Sequence, residues 1–508
     1  MKKLNNKSVK LAGLVIACAT ISACEQNFDD PIADNNADYH NGSADFSNYV
    51  SIGDSLTAGY ADNALYLNGQ LNSFPNVLAQ QFSKVGGGEF TQPLMDDNLG
   101  GLLFAGNESP AFANRYVFDS ATKTPGPIEG TPVTEVTNVL TGTFTNMGVP
   151  GAKSFHLLSN TLATPSGLFT DPPSANPYFV RFASSATATI IGDAVAQQPS
   201  FFTLWVGNND VLSYATTGGT GVDQTGSAVD PGDYGSDDIT NPVVFAQVYT
   251  ALVATITTGN TDAKGVLVNI PDVKTIPFFK TVPHNPLPLD LATATALNTT
   301  AYATYNTALA DALSAEAIDQ AEHDDRQILF SAALNNAVVI EDEDLTSIPG
   351  LPSIRQATAD DLLVLTASSK IGALVDVNAD PTDPASLRWG ITQALEDGDV
   401  LIKSEQDKVE IARTAFNATI ETAATNNDNL VLFDVAALMN ELSTSVNFGT
   451  GVITAEYVKG GGFSLDGVHM TARGYTVISN RIIDTINTGF EANIPPVNPG
   501  EYSTIFLK

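Results

Sequence analysis

Five short apolar runs stand out from a chain otherwise rich in polar and turn-forming residues. They are NYVSI (48–52), TFTNMGV (143–149), SFFTLWV (200–206), KGVLVNI (264–270) and NLVLFDV (429–435). Compact runs of this kind suit strands buried on both faces, as in a parallel sheet. Between them lie segments with apolar residues at helical spacing, clearest from Asp290 to Glu322 and from Glu405 to Thr425. A further helix carries Tyr475, Ile478 and Ile482 on one face. Strand followed by helix, repeated, predicts an α/β fold of three α/β/α layers around a mainly parallel sheet.

Three stretches break the rhythm: 86–140, rich in Gly, Asn, Pro and Thr; 216–241, a polar loop; and 341–400, a mixture of turns and short helical pieces. They read as insertions into one domain spanning 46–490, followed by a tail at 491–508, because candidate site residues lie on both sides of each. In 376–387, Asp376, Asn378 and Asp380 alternate like the start of a calcium loop. The turn glycine is missing, however, and the twelfth position is Leu387 instead of Glu. That stretch reads as a solvated acidic turn, and no metal site is expected.

The N-terminus changes the picture of where the chain works. MKKLNNKSVK carries four lysines and no acid, and LAGLVIACATI is apolar but too short to span a bilayer. Residues 1–23 therefore have the layout of a secretory signal peptide. Ile21-Ser22-Ala23-Cys24 resembles a bacterial lipobox, which implies cleavage before Cys24 and lipidation of its thiol. The chain has two cysteines, Cys18 and Cys24, and the first lies in the leader. A mature chain would then have no disulfide, despite export to a compartment that permits them. Residues 24–45 read as an acidic, flexible tether and resemble the surface-export signals of Bacteroidetes lipoproteins. No later segment looks long and apolar enough to cross a membrane, so attachment is expected through lipid alone, at the outer membrane, with the membrane face left open.

The formal charge of −33 becomes −37 once the four leader lysines are removed. Such a surface repels phosphate backbones and argues against nucleic-acid partners. It says nothing about oligomeric state.

Candidate chemistry centres on SIGDSLTAGY (51–60), where Gly-Asp-Ser ends the first apolar run. Ser55 there is either a nucleophile on a strand-to-helix turn or part of an ordinary turn. A serine nucleophile needs a base, and the base needs an orienting acid. Of the five histidines, His40 is in the tether, while His156, His284 and His323 have surface or capping contexts. His469 sits in SLDGVHMTARGY, with Asp466 three residues earlier at a helix entry. That spacing lets one carboxylate reach Nδ1 and leave Nε2 free; it equally suits a helix cap beside a packed histidine. In WVGNND, Asn209 can donate to an oxyanion or make an Asx turn. In NMGVPGAKS, Gly148 or Gly151 can present a backbone N–H, or both can serve the turn.

Together, and in this order, the four blocks resemble those of the SGNH hydrolases, also called GDSL esterases and lipases. The resemblance implies a flavodoxin-like SGNH fold with Ser55 as nucleophile, His469 as base and Asp466 as its orienter. It implies an oxyanion hole from the N–H groups of Ser55 and Gly151 and the side chain of Asn209, and no cofactor. Asp54, Asp210 and Asp272 are expected to hold turns. The 414 positions between Ser55 and His469 exceed what compact members of that family need. The expected function is hydrolysis of carboxylic esters of carbohydrates or lipids. The alternative is a surface lipoprotein that binds glycans or lipids on the same scaffold without catalysis.

Overall fold

The computed structural model describes residues 38–508, apart from residues 228, 382, 384 and 385. The leader 1–23, Cys18, Cys24 and most of the tether lie outside the described residues. The unit His40–Lys508 holds all the elements below.

Each apolar run contains a strand: β1 (Tyr49–Gly53), β2 (Asn146–Gly148), β3 (Phe201–Trp205), β4 (Lys264–Val268) and β5 (Leu430–Phe433). They form one sheet in the order β5-β4-β3-β1-β2, and every pairing is parallel. The fold is α/β. Both β1 and β3 are buried along their whole length, which explains their lack of polar alternation. The polar exceptions satisfy one another: Tyr49 Oη and Ser51 Oγ lie 3.0 and 2.7 Å from Thr203 Oγ1. β2 is the shortest of its run, because residues 143–145 are tied to Thr91 by side-chain and backbone hydrogen bonds.

The helices that matter for the site are α1 (Ser55–Ala58), α2 (Phe74–Phe82), α3 (Asn209–Thr216), α4 (Pro242–Gly259), α5 (Lys403–Thr425) and α6 (Ala472–Gly489). Phe201 and Trp205, on one face of β3, meet Phe82 and Phe74 of α2 at ring separations of 5.6 and 5.4 Å. α6 buries Tyr475, Ile478 and Ile482, the face expected from its spacing. Phe245 of α4 stacks on Phe416 of α5 at 4.1 Å.

α4 corrects one expectation. It is 18 residues long with a mean hydropathy of 1.3, so by length and composition it is apolar enough to cross a membrane. Here its Val244, Phe245, Tyr249, Leu252, Val253 and Ile256 are buried within the protein. Its apolar stretch is mainly Ala, Val and Thr, which packs a core helix as readily as a bilayer.

The stretch from Asp290 to Glu322 is not one helix. It divides into Leu291–Ala296, a π turn at Leu297–Ala301, Ala303–Ser314 and Gln320–Arg326. At the π turn, Asn298 exchanges two hydrogen bonds with the backbone of Phe330, a tertiary tie that distorts the helix. These pieces pack with residues as far as Ile402 in a second apolar cluster, which includes Tyr305, Leu309, Ile328, Val339 and Leu395. Arg355 links this region internally through Asp342 and Asp361, at 2.5 and 2.6 Å. In 86–140, Phe104 and Phe112 join a third cluster with Tyr178.

Candidate active site

The order β5-β4-β3-β1-β2 places β1 between β3 and β2, so the chain runs from β1 to β2 on one side and then crosses back past β1 to β3 on the other. Ligands in open α/β sheets bind outside the carboxyl ends of the strands at such a reversal. Ser55 follows β1, Gly151 follows β2 and Asn209 follows β3. His469 comes from the far end of the chain, just ahead of α6.

Ser55 opens α1. The preceding Asp54 caps that helix, its Oδ1 accepting from Leu56 N at 3.0 Å and its Oδ2 from Asn208 Nδ2 at 2.8 Å. Asp54 is fully buried, and burial pushes its carboxyl up to about 6 against those two bonds. Ser55 Oγ lies 2.8 Å from His469 Nε2, and His469 Nδ1 lies 2.9 Å from Asp466 Oδ2. Asp466 Oδ1 also accepts from the backbone N–H of Val468 and His469 at 2.9 and 2.8 Å, and from Ser464 Oγ at 3.0 Å. Its Oδ2 accepts from Asn63 N at 3.0 Å. Burial opposes the Asp466 charge, yet the nearby His469 and these donors outweigh it and hold the carboxyl well below the usual carboxylate range. An ionised Asp466 accepts a hydrogen bond from Nδ1–H, and that tautomer leaves Nε2 to accept from the Ser55 hydroxyl.

The two glycines separate. Gly148 N–H donates to Asn146 Oδ1 at 3.0 Å, and a Cβ there would run into the backbone of Thr57 and Ala58 in α1. Gly148 is thus a close-packing residue. Gly151 has a φ of +77°, with open space where a side chain would be. Among the described residues, neither its N–H nor that of Ser55 makes a hydrogen bond. Asn209 Nδ2 donates to Ala152 O at 2.9 Å, which leaves its second N–H available. Asp210, completely buried, accepts from Ser154 N and Oγ, both at 2.7 Å, and so locks the turn after β3 to the turn after β2. Asp272 accepts from Lys274 N at 2.9 Å in the loop after β4.

Several residues that support the site escaped the sequence reading. Asp62 and Asn63 have φ values of 53° and 65° and form a two-residue turn closed by mutual hydrogen bonds between Ala61 and Ala64. Asp and Asn tolerate this left-handed geometry, so the pair was the available signal. The turn delivers Asn63 N to Asp466, and Asp62 Oδ1 to Leu465 N at 3.0 Å. Asp62 N donates to Ser464 Oγ at 2.9 Å, so Ser464 relays between Asp62 and Asp466. The Tyr60 ring packs 4.7 Å from the His469 ring, held by Tyr475 Oη donating to Tyr60 O at 2.8 Å. Among the other histidines, His156 caps its own turn by accepting from Lys153 N. His323 is buried instead of surface-exposed, at 8% exposure.

A cavity of about 50 Å³ opens beside Ser55 and His469 and is lined by Leu56, Leu212, Ile270, Val273, Ile276 and Val468, with Asn208, Asn209 and Asp272. A larger concavity of about 400 Å³ lies by Thr91, Phe144 and Gln197, without a paired nucleophile and base. Glu343, Asp397 and Glu405 bring carboxylate oxygens within 4.8 Å of one another, a set able to take a cation, but none of them lines the Ser55 cavity.

No protein-family model, curated protein or solved structure matches this chain.

Proposed function

We propose that this chain is a serine esterase that hydrolyses carboxylic esters, with Ser55 as nucleophile, His469 as base and Asp466 as its orienting acid. The observation that carries this reading is the unbroken line from Ser55 Oγ through His469 to Asp466, with contacts of 2.8 and 2.9 Å. A serine, a base and an orienting acid in that geometry form the constellation of nucleophilic acyl transfer.

In the proposed reaction His469 Nε2 takes the Ser55 proton as Oγ attacks the ester carbonyl. The oxyanion is held by the N–H groups of Ser55 and Gly151 and the spare N–H of Asn209, donors fixed in place before reaction. The alcohol leaves with the proton from Nε2. Water then gives a proton to Nε2 and attacks the acyl-enzyme, and Ser55 recovers its proton as the acid departs. No redox group enters these steps. The four blocks, together with a sheet order that reads 2-1-3-4-5, support the finer assignment to the flavodoxin-like SGNH hydrolases. Export and anchoring through Cys24 belong to the same reading and rest on the sequence of residues 1–24.

Ester substrates on either carbohydrates or lipids fit this chemistry. A fluorophosphonate probe tests it against a purely binding scaffold. Wild type is expected to label covalently and hydrolyse a chromogenic ester, whereas folded Ser55→Ala does neither. An unlabelled wild type, or a Ser55→Ala variant as active as wild type, would refute it.

A further inference from the structure

The wall beside Ser55 is mainly aliphatic and its polar neighbours are few: Asn209 keeps a spare N–H and Asn208 Oδ1 makes no hydrogen bond. Ile270, Val273 and Ile276 are buried at 1%, 6% and 6% exposure and form the floor. Leu56, Leu212 and Val468, only partly buried, form the mouth. Asn208 gives its amide to Asp54, and Asp272 accepts from Lys274 N. The His469 ring is held between Ser55 and Asp466. A sugar ring pushed into this space would bury more hydroxyls than these few groups can satisfy, which costs affinity. A hydrocarbon chain loses nothing there and leaves water.

Size sharpens the assignment. A cavity of about 50 Å³ has room for only a few chain atoms. Resting on the esterase reading above, we propose that this cavity binds the acyl chain and selects esters of aliphatic acids of about four to six carbons. Acetyl leaves most of the floor uncovered. Chains beyond hexanoyl run past the mouth into water. The sugar or other alcohol then stays outside, on the leaving-group side.

The test uses purified chain and a p-nitrophenyl series from acetate to palmitate, with ethyl, butyl and hexyl acetates as a second arm. Burying each methylene is expected to raise kcat/KM by about threefold to fourfold, up to butyryl or hexanoyl, with no further gain beyond. Ile276→Trp fills the floor and should lower the hexanoate-to-acetate ratio by tenfold or more. Val273→Ala enlarges the cavity and should move the optimum to longer chains, so the inference survives misfolding of either variant. A flat chain-length profile, ratios unchanged in both variants, or a preference that follows the alcohol chain would overturn it while leaving the esterase standing. Absence of both hydrolysis and fluorophosphonate labelling would instead remove the esterase reading itself.

Discussion

Asn208 and Asn209 are neighbours in sequence that spend their amides in different places. Asn208 Nδ2 donates to Asp54 Oδ2 at 2.8 Å, beneath the serine turn, whereas Asn209 Nδ2 donates to Ala152 O at 2.9 Å, beside Gly151. One amide braces the turn that carries Ser55, and the other ties the turn after β3 to the turn after β2.

That division predicts two different defects. Asn209→Ala should lower kcat by about 10²–10³-fold with little change in KM, the usual cost of a lost oxyanion donor. Asn208→Ala removes the partner of a fully buried carboxyl and should cost stability, about 1–3 kcal/mol, with a smaller loss of kcat. Steady-state kinetics and chemical unfolding of both variants check this. Equal kinetic defects with unchanged stability would contradict it.

Gly151 offers a backbone test. Its φ of +77° and open surroundings mean that Gly151→Ala pays only for a left-handed backbone, about 1 kcal/mol, and keeps the N–H. Gly151→Pro removes the N–H and cannot adopt that φ. The alanine variant should retain most of its kcat, and the proline variant should fall by at least 10²-fold. Gly148→Ala should unfold more readily than either kinetic result implies, because its Cβ meets the backbone of α1. Matching kinetics for Gly151→Ala and Gly151→Pro would rule out a donor role.

Buried acids set the dependence of stability on pH. Asp54, Asp62 and Asp397 are pushed up to about 6, and Glu405 to about 8, chiefly by burial. Each keeps its proton in the folded protein at a pH where the unfolded chain has released it. Their stabilisation is complete below the ordinary carboxylate range and is lost as the pH rises through 6 and then 8. Asp466, held low, acts in the opposite sense: its stabilisation is present above the ordinary carboxylate range and is lost only in stronger acid. The Tm should therefore fall between pH 5 and pH 8.5. Self-repulsion from a charge of −33 slopes the same way, so the decisive comparison is Glu405→Gln, which should flatten the upper part of the curve. An unchanged slope in that variant would contradict the assignment.

The strands were legible because a strand buried on both faces leaves a continuous apolar run, as in Phe201–Trp205. The contacts among Ser55, Asp466 and His469 were legible only through the resemblance of four blocks taken together, since each block alone suits an ordinary turn or cap equally well. What stayed hidden has tertiary causes. Nothing in the sequence around Asn298 signals the bonds to Phe330 that break the expected helix. The Asp62-Asn63 turn reads as a generic loop until residues about four hundred positions away are seen to use its N–H and carboxylate. His323 sits among charged residues in sequence, yet its helix, Gln320–Arg326, packs on Ala303–Ser314 and leaves it buried.

The 414 positions between Ser55 and His469 also order events in time. At roughly 5–20 residues per second of synthesis, the serine emerges about 20–80 s before the histidine that would activate it. On the proposed reading, a nascent chain, or any fragment cut ahead of His469, therefore carries the serine without its base. In that reading the order of translation itself delays the chemistry until His469 is made.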